Sequence, residues 1–155
     1  MSDAQQDDHV DFRIAHDGTW YHNGAPIKRA ALAKLFADRA LKIDAGGNYW
    51  LQTPYEKYPV TVEDVPFIIT DYEEEDGAVI VRTNMGETVT IGPDHPLELR
   101  VDKTSGDELP YVEVRDGLYA RLGRNVYYAF VNKYGENLVS HNVDYPLGRL
   151  DEGEE

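Results

Sequence analysis

Four cations in this chain stand where an anion could be held. Lys28 and Arg29 open a stretch whose apolar residues recur at helical spacing, Arg121 lies on a strand-like segment, and Arg124 stands just before a second helical stretch. Exposed amides at a helix N-terminus beside Lys or Arg form a natural anion site. A cation there opposes the helix dipole by a few tenths of a kcal/mol, so a bound anion would relieve it. The reading is a pocket for a phosphate or carboxylate between two lobes. The alternative is that these cations pair with neighbouring carboxylates, as surface ions commonly do. Trp50 and Tyr127, with Tyr49 and Tyr128, could stack a planar base. The alternative, which the sequence favours, is that they pack as aromatics with a polar edge. The candidate ligand-binding set is therefore Lys28, Arg29, Trp50, Arg121, Arg124 and Tyr127.

Other chemistry finds little footing. The five histidines (His9, His16, His22, His95 and His141) form no HxH or HxxxH pair, and no metal site is expected. Serine is confined to Ser2, Ser105 and Ser140, with no Gly-x-Ser-x-Gly elbow. There is no Walker A sequence and no Gly-x-Gly-x-x-Gly, so no nucleotide cofactor is implied. The run Glu73-Glu74-Glu75-Asp76-Gly77 lacks the alternating ligands of a calcium loop and reads as a solvated hairpin end. No catalytic residue is assigned, and an enzyme is not expected.

The 155 residues carry 15 Lys+Arg against 29 Asp+Glu, a net charge of -14. That charge opposes bulk nucleic-acid binding and docking on anionic membranes. Hydrophobic residues make up 41%, consistent with a soluble globular chain. With no cysteine there is no disulfide or thiolate chemistry. No apolar run approaches a membrane span, and the first residues lack a secretory pattern, so a bacterial-type cytoplasmic protein is expected. Positive charge is nevertheless concentrated: residues 28–42 hold five basic residues and one acidic, and 115–134 hold four and one.

These residues need elements to position them. The ends, 1–8 and 151–155, are too polar to order. Residues 10–15 and 19–22 read as a hairpin turned by Asp17-Gly18, 28–41 as an amphipathic helix, and 49–52 as a strand. Seven strands are predicted at 59–62, 66–72, 78–83, 87–91, 97–101, 109–114 and 118–122. A helix over 126–134 follows, with Asn125 as N-cap and Gly135 beyond its end, and strands near 138–141 and 143–147 close the chain.

A weak internal repeat joins the two halves. Asp17-Gly18-Thr19-Trp20 matches Asp116-Gly117-Leu118-Tyr119 at an offset of 99, and Gly24, Ile27, Ala30 and Leu32 meet Gly123, Val126, Ala129 and Val131. The fold expected is α+β in two lobes with a duplicated hairpin-helix-strand motif. A smaller lobe spans 9–58. A larger one spans 59–150, an antiparallel seven-stranded, barrel-like sheet with a C-terminal helix in the element order of a pleckstrin-homology-like module.

The ordered series Trp20-x5-Pro26-Ile27-x-Arg29, Gly47-x-Tyr49-Trp50-Leu51-x-Thr53-Pro54, Val62-Glu63-Asp64-x-Pro66-Phe67 and Val114-Arg115-Asp116-Gly117-Leu118-Tyr119 resembles the bacterial domain-of-unknown-function family numbered 1285. The resemblance continues through Ala120-Arg121-Leu122-x-Arg124-x-Val126-Tyr127-Tyr128 and Leu147-Gly148, and covers nearly all of the chain. It implies duplicated motifs in two lobes, no established enzyme activity, and binding of a nucleotide-like ligand at the lobe interface in signal transduction. An anionic small molecule is therefore the expected partner. The alternative is a protein-interaction adaptor that uses its acidic face or a sheet edge against a protein partner.

Overall fold

A computed structural model of the chain describes residues 11–148. The expectations for 1–8 and 151–155 lie outside the described residues. The chain divides after Asp64 into two compact units.

The first unit is built on one six-stranded sheet. Its strands are β1 (Phe12–Ile14), β2 (Trp20–His22), β3 (Ala25–Pro26), β4 (Leu41–Ile43), β5 (Tyr49–Gln52) and β6 (Lys57–Val62), arranged β3-β2-β1-β6-β5-β4. β1 and β2 form the expected hairpin, with Ile14 opposite Trp20. The Asp17 carboxylate accepts the Thr19 N–H at 3.0 Å, which fixes the loop between them. β6 then runs parallel to β1, placing Phe12 beside Val60. The alternation of the strands sends Phe12, Ile14, Trp20, Leu51 and Val60 into the core.

The helix expected over 28–41 is shorter and changes pitch. Helix α1 spans Ala30–Leu35, and a π-helical turn follows over Phe36–Ala40. Ala33, Ala37 and Ala40 keep the buried side across that change. Phe36 meets Phe12 edge-on at 5.7 Å, tying the turn to the sheet.

The second unit contains β7 (Phe67–Glu75), β8 (Ala78–Thr83), β9 (Thr88–Thr90), β10 (Glu98–Val101), β11 (Glu108–Arg115) and β12 (Leu118–Leu122). They form a second six-stranded sheet in the order β10-β11-β12-β7-β8-β9. Helix α2 (Arg124–Tyr134) and a separate hairpin, β13 (Asn137–Ser140) with β14 (Val143–Pro146), complete it. Asp76-Gly77 joins β7 to β8 with φ of 53° and 80°, and His141-Asn142 joins β13 to β14 with φ of 54° and 63°. Positive φ at both central residues is the geometry of two-residue type I′ hairpin loops, which is why Asp-Gly signals are so informative here. Phe67, Ile69, Val81, Tyr111, Ala120, Phe130 and Leu138 are sealed in this core. Each large apolar side chain buried this way contributes about 1.5–3 kcal/mol.

Two expectations need correction. The larger lobe's sheet has six strands rather than seven, because residues 59–62 pair with β1 and β5 in the first unit. The first compact unit accordingly runs through Asp64. Nor is the sheet wholly antiparallel: β7 runs parallel to β12, with Phe67 beside Ala120. The series hairpin, helix, antiparallel strand pair does occur in both units. In the first, β4–β5 extends the main sheet; in the second, β13–β14 stands as its own sheet. Among the described residues no helix is long and apolar enough to cross a membrane.

Candidate functional site

Three of the six predicted residues cluster where β12 hands over to α2. Gly123 is the N-cap, in place of the expected Asn125, and it carries no side-chain cap. Its amide donates to the Ile69 carbonyl at 2.9 Å, and its carbonyl accepts the Tyr127 N–H at 2.9 Å. A Cβ here would come within 2.7 Å of the Ile69 oxygen, so only glycine lets the chain pass this close to β7.

Arg121 and Arg124 flank that junction, and both face the loop between β10 and β11. Asp102 opens the loop and is buried. Its Oδ1 accepts the amides of Thr104 at 2.8 Å and Ser105 at 3.3 Å. Its Oδ2 lies 3.8 Å from Arg121 Nε. Asp107 closes the loop, and its Oδ2 lies 3.9 Å from Arg124 Nη2. The two predicted cations are thus brought together by two aspartates of one loop, which supports the pairing alternative for Arg121 in particular. Neither aspartate was singled out from sequence. The signal was the run Asp102-Lys103-Thr104-Ser105-Gly106, the composition of a side-chain-capped turn.

The two arginines differ in what they leave exposed. The Arg121 side chain is 7% exposed, whereas that of Arg124 is 58% exposed. Arg124 Nη1 also donates to the Tyr128 hydroxyl at 3.1 Å. Tyr127 is buried, and its hydroxyl donates to the Gly148 carbonyl at 3.1 Å. Its role is packing, and the half-exposed neighbour Tyr128 presents the accessible ring.

In the first unit, Lys28 and Arg29 are exposed and lead into α1, with Arg29 at its N-cap. Trp50 sits on β5 and is already engaged. Its indole N–H donates to Asp44 at 2.9 Å, and Lys57 Nζ covers its ring at 4.3 Å from the centroid. Asp44 also accepts the amides of Gly46 and Asn48, each at 2.9 Å. These donors, the Trp50 indole first, hold the Asp44 carboxyl below its ordinary 3.8. Trp50 therefore braces the loop between β4 and β5, and its cation partner is Lys57 rather than Lys28 or Arg29.

The fold defines an α+β protein of two sheet-based units. Family models described as the N-terminal domain of unknown function DUF1285 and the C-terminal domain of that same family match residues 3–65 and 66–145. The chain belongs to the DUF1285 family. A crystal structure of a DUF1285 family protein from Silicibacter pomeroyi DSS-3 is similar at 32% identity and a TM-score of 0.79, covering 94% of this chain and 84% of that one. Another, from Shewanella baltica OS155, is similar at 32% identity and a TM-score of 0.63, covering 82% of this chain and 94% of that one. No curated protein matches the chain.

Proposed function

We propose that this chain is a non-enzymatic module that binds an anionic small molecule, of phosphate or nucleotide type, at the start of α2. One observation carries the reading. Arg124 stands in the first turn of a helix that has no side-chain cap and no acidic residue in that turn, and more than half of its side chain faces solvent. Helix-end amides and a guanidinium on the same turn suit an oxyanion. The approach to Asp107, at 3.9 Å, is an ion contact made by a guanidinium that stays largely in solvent, the kind of contact with which a bound anion competes. Tyr128 would then offer a face for a base. On this reading the second unit is a pleckstrin-homology-like module in element order, acting in cytoplasmic signalling. Arg121 supports the site from beneath through Asp102.

The test is a thermal-shift series with inorganic phosphate, a nucleoside monophosphate and a nucleoside triphosphate. A rise in melting temperature that Arg124→Glu abolishes is expected. No shift with any anion, or a shift that Arg124→Glu leaves intact, overturns the reading.

A further inference from the structure

At the other end of α2 the second unit carries a groove of about 390 Å³. We propose that it docks a basic, apolar-flanked peptide segment of a partner protein. Two type I′ loops meet beside it: the His141 amide at the tip of the β13–β14 hairpin donates to the Gly77 carbonyl at 2.9 Å. Deeper in, buried Ser140 fastens the same hairpin to the sheet. Its Oγ accepts the Val79 N–H at 2.9 Å and donates to the Ile91 carbonyl at 2.7 Å. The groove is therefore a fixed feature of three elements, not a gap between loose ones.

Its chemistry is two-sided. Ala78, Val79, Val139 and Tyr134 supply apolar lining, and Val139 is 43% exposed. Glu75 and Asp76 supply the rim. Glu74 is neutralised by Lys133 and bonded by the Tyr134 hydroxyl. Glu75 and Asp76 are exposed and form no ion pair among the described residues, so the rim keeps two negative charges. The C-terminal end of α2, which carries Tyr134 into the lining, adds the negative pole of its dipole. A Lys or Arg side chain fits such a site, its alkyl stem on the apolar lining and its charge at the rim. Because the rim carboxylates are exposed, a free small cation gains little there. A polypeptide that also covers Val139 gains apolar burial, so the occupant is a peptide segment rather than a small polyamine.

The probe is a fluorescent ten-residue peptide alternating lysine and leucine, titrated against the full chain by anisotropy. Glu75→Gln/Asp76→Asn keeps an Asn-Gly turn and should weaken binding by about tenfold, roughly the loss of two modest charge contacts. Val139→Ser should also weaken it. The remote pair Glu87→Gln/Asp116→Asn, at the end of the same sheet opposite the Asp76-Gly77 turn, carries the same charge change and should leave affinity within about twofold. Equal loss in the remote pair, no effect of Val139→Ser, spermidine competing as well as unlabelled peptide, or no binding at all would each overturn the proposal.

Discussion

Arg121 reaches Asp102 at 3.8 Å with both side chains almost closed to solvent. This contact links the strand leading into α2 to the loop between β10 and β11. It also decides which predicted cation can meet a ligand, because the Asp102 carboxylate is already committed to Arg121 and to two loop amides. Arg124, three residues on, keeps most of its side chain outside.

Removing one half of a buried pair strands the other charge. Arg121→Ala is expected to lower unfolding free energy by about 3–5 kcal/mol in urea denaturation. Arg121→Met/Asp102→Asn keeps an acceptor for the Thr104 amide and removes both charges, so it should cost less than the single change. An Arg121→Ala variant as stable as the parent would show that the pair is not structurally important.

Gly123→Ala tests the close pass between β12 and β7. The added methyl would sit 2.7 Å from a backbone oxygen that already accepts the Gly123 amide. The backbone must shift to make room, at a cost of about 1–3 kcal/mol. A drop in melting temperature is expected, and an unchanged value would mean that the junction yields freely.

Ser140 is a fully buried hydroxyl with one donor and one acceptor partner. Ser140→Ala leaves the Val79 amide and the Ile91 carbonyl short of a partner, at about 1–3 kcal/mol. Hydrogen exchange at the Val79 amide should accelerate more than at Val112 in the core. Uniform acceleration would argue against a local fastening role.

The Glu74 cluster sets a pH dependence at both ends of the scale. Hydrogen bonds from Lys133 and then Tyr134 hold the Glu74 carboxyl below its ordinary 4.5. A depressed carboxyl stabilises the fold above its unfolded value, and that contribution is lost as pH falls below about 4.5 through the lower folded value. Burial, and then the bond to Glu74, pushes the Tyr134 hydroxyl up from 10.0. Its contribution is present below pH 10 and is lost as pH rises through the higher folded value. Denaturation midpoints across pH should show a flattened acid limb in Glu74→Gln and a flattened alkaline limb in Tyr134→Phe. Parallel profiles in both variants and the parent would remove the cluster from the pH response.

Local chemistry made much of this fold legible. Asp76-Gly77 and Asp116-Gly117 announced tight hairpins, and the runs that follow them, 78–83 and 118–122, were legible as strands between turn signals. Period-two patterns say which face is buried but not which strand lies alongside. So the sequence placed a strand at 59–62 but could not tell that it pairs with β1, whose residues lie far away along the chain. The β7–β12 parallel contact was hidden for the same reason. At the candidate site, the positive residues on either side of Gly123 were legible as charge. Their aspartate partners were not, in a chain with 29 acidic residues. Trp50 read either as a stacking face or as a packing aromatic, because nothing in its neighbourhood reveals that Asp44 and Lys57 close on it.

The seat of β6 between β1 and β5 has a consequence for synthesis. A nascent chain released as far as residue 58 would possess both neighbours of that strand but only the first part of the strand itself. Two ribbon edges would then stand open in the middle of the future sheet, the situation most prone to intermolecular zippering. Completion of the first unit must await residues 59–62, so any shortened version of it should retain them.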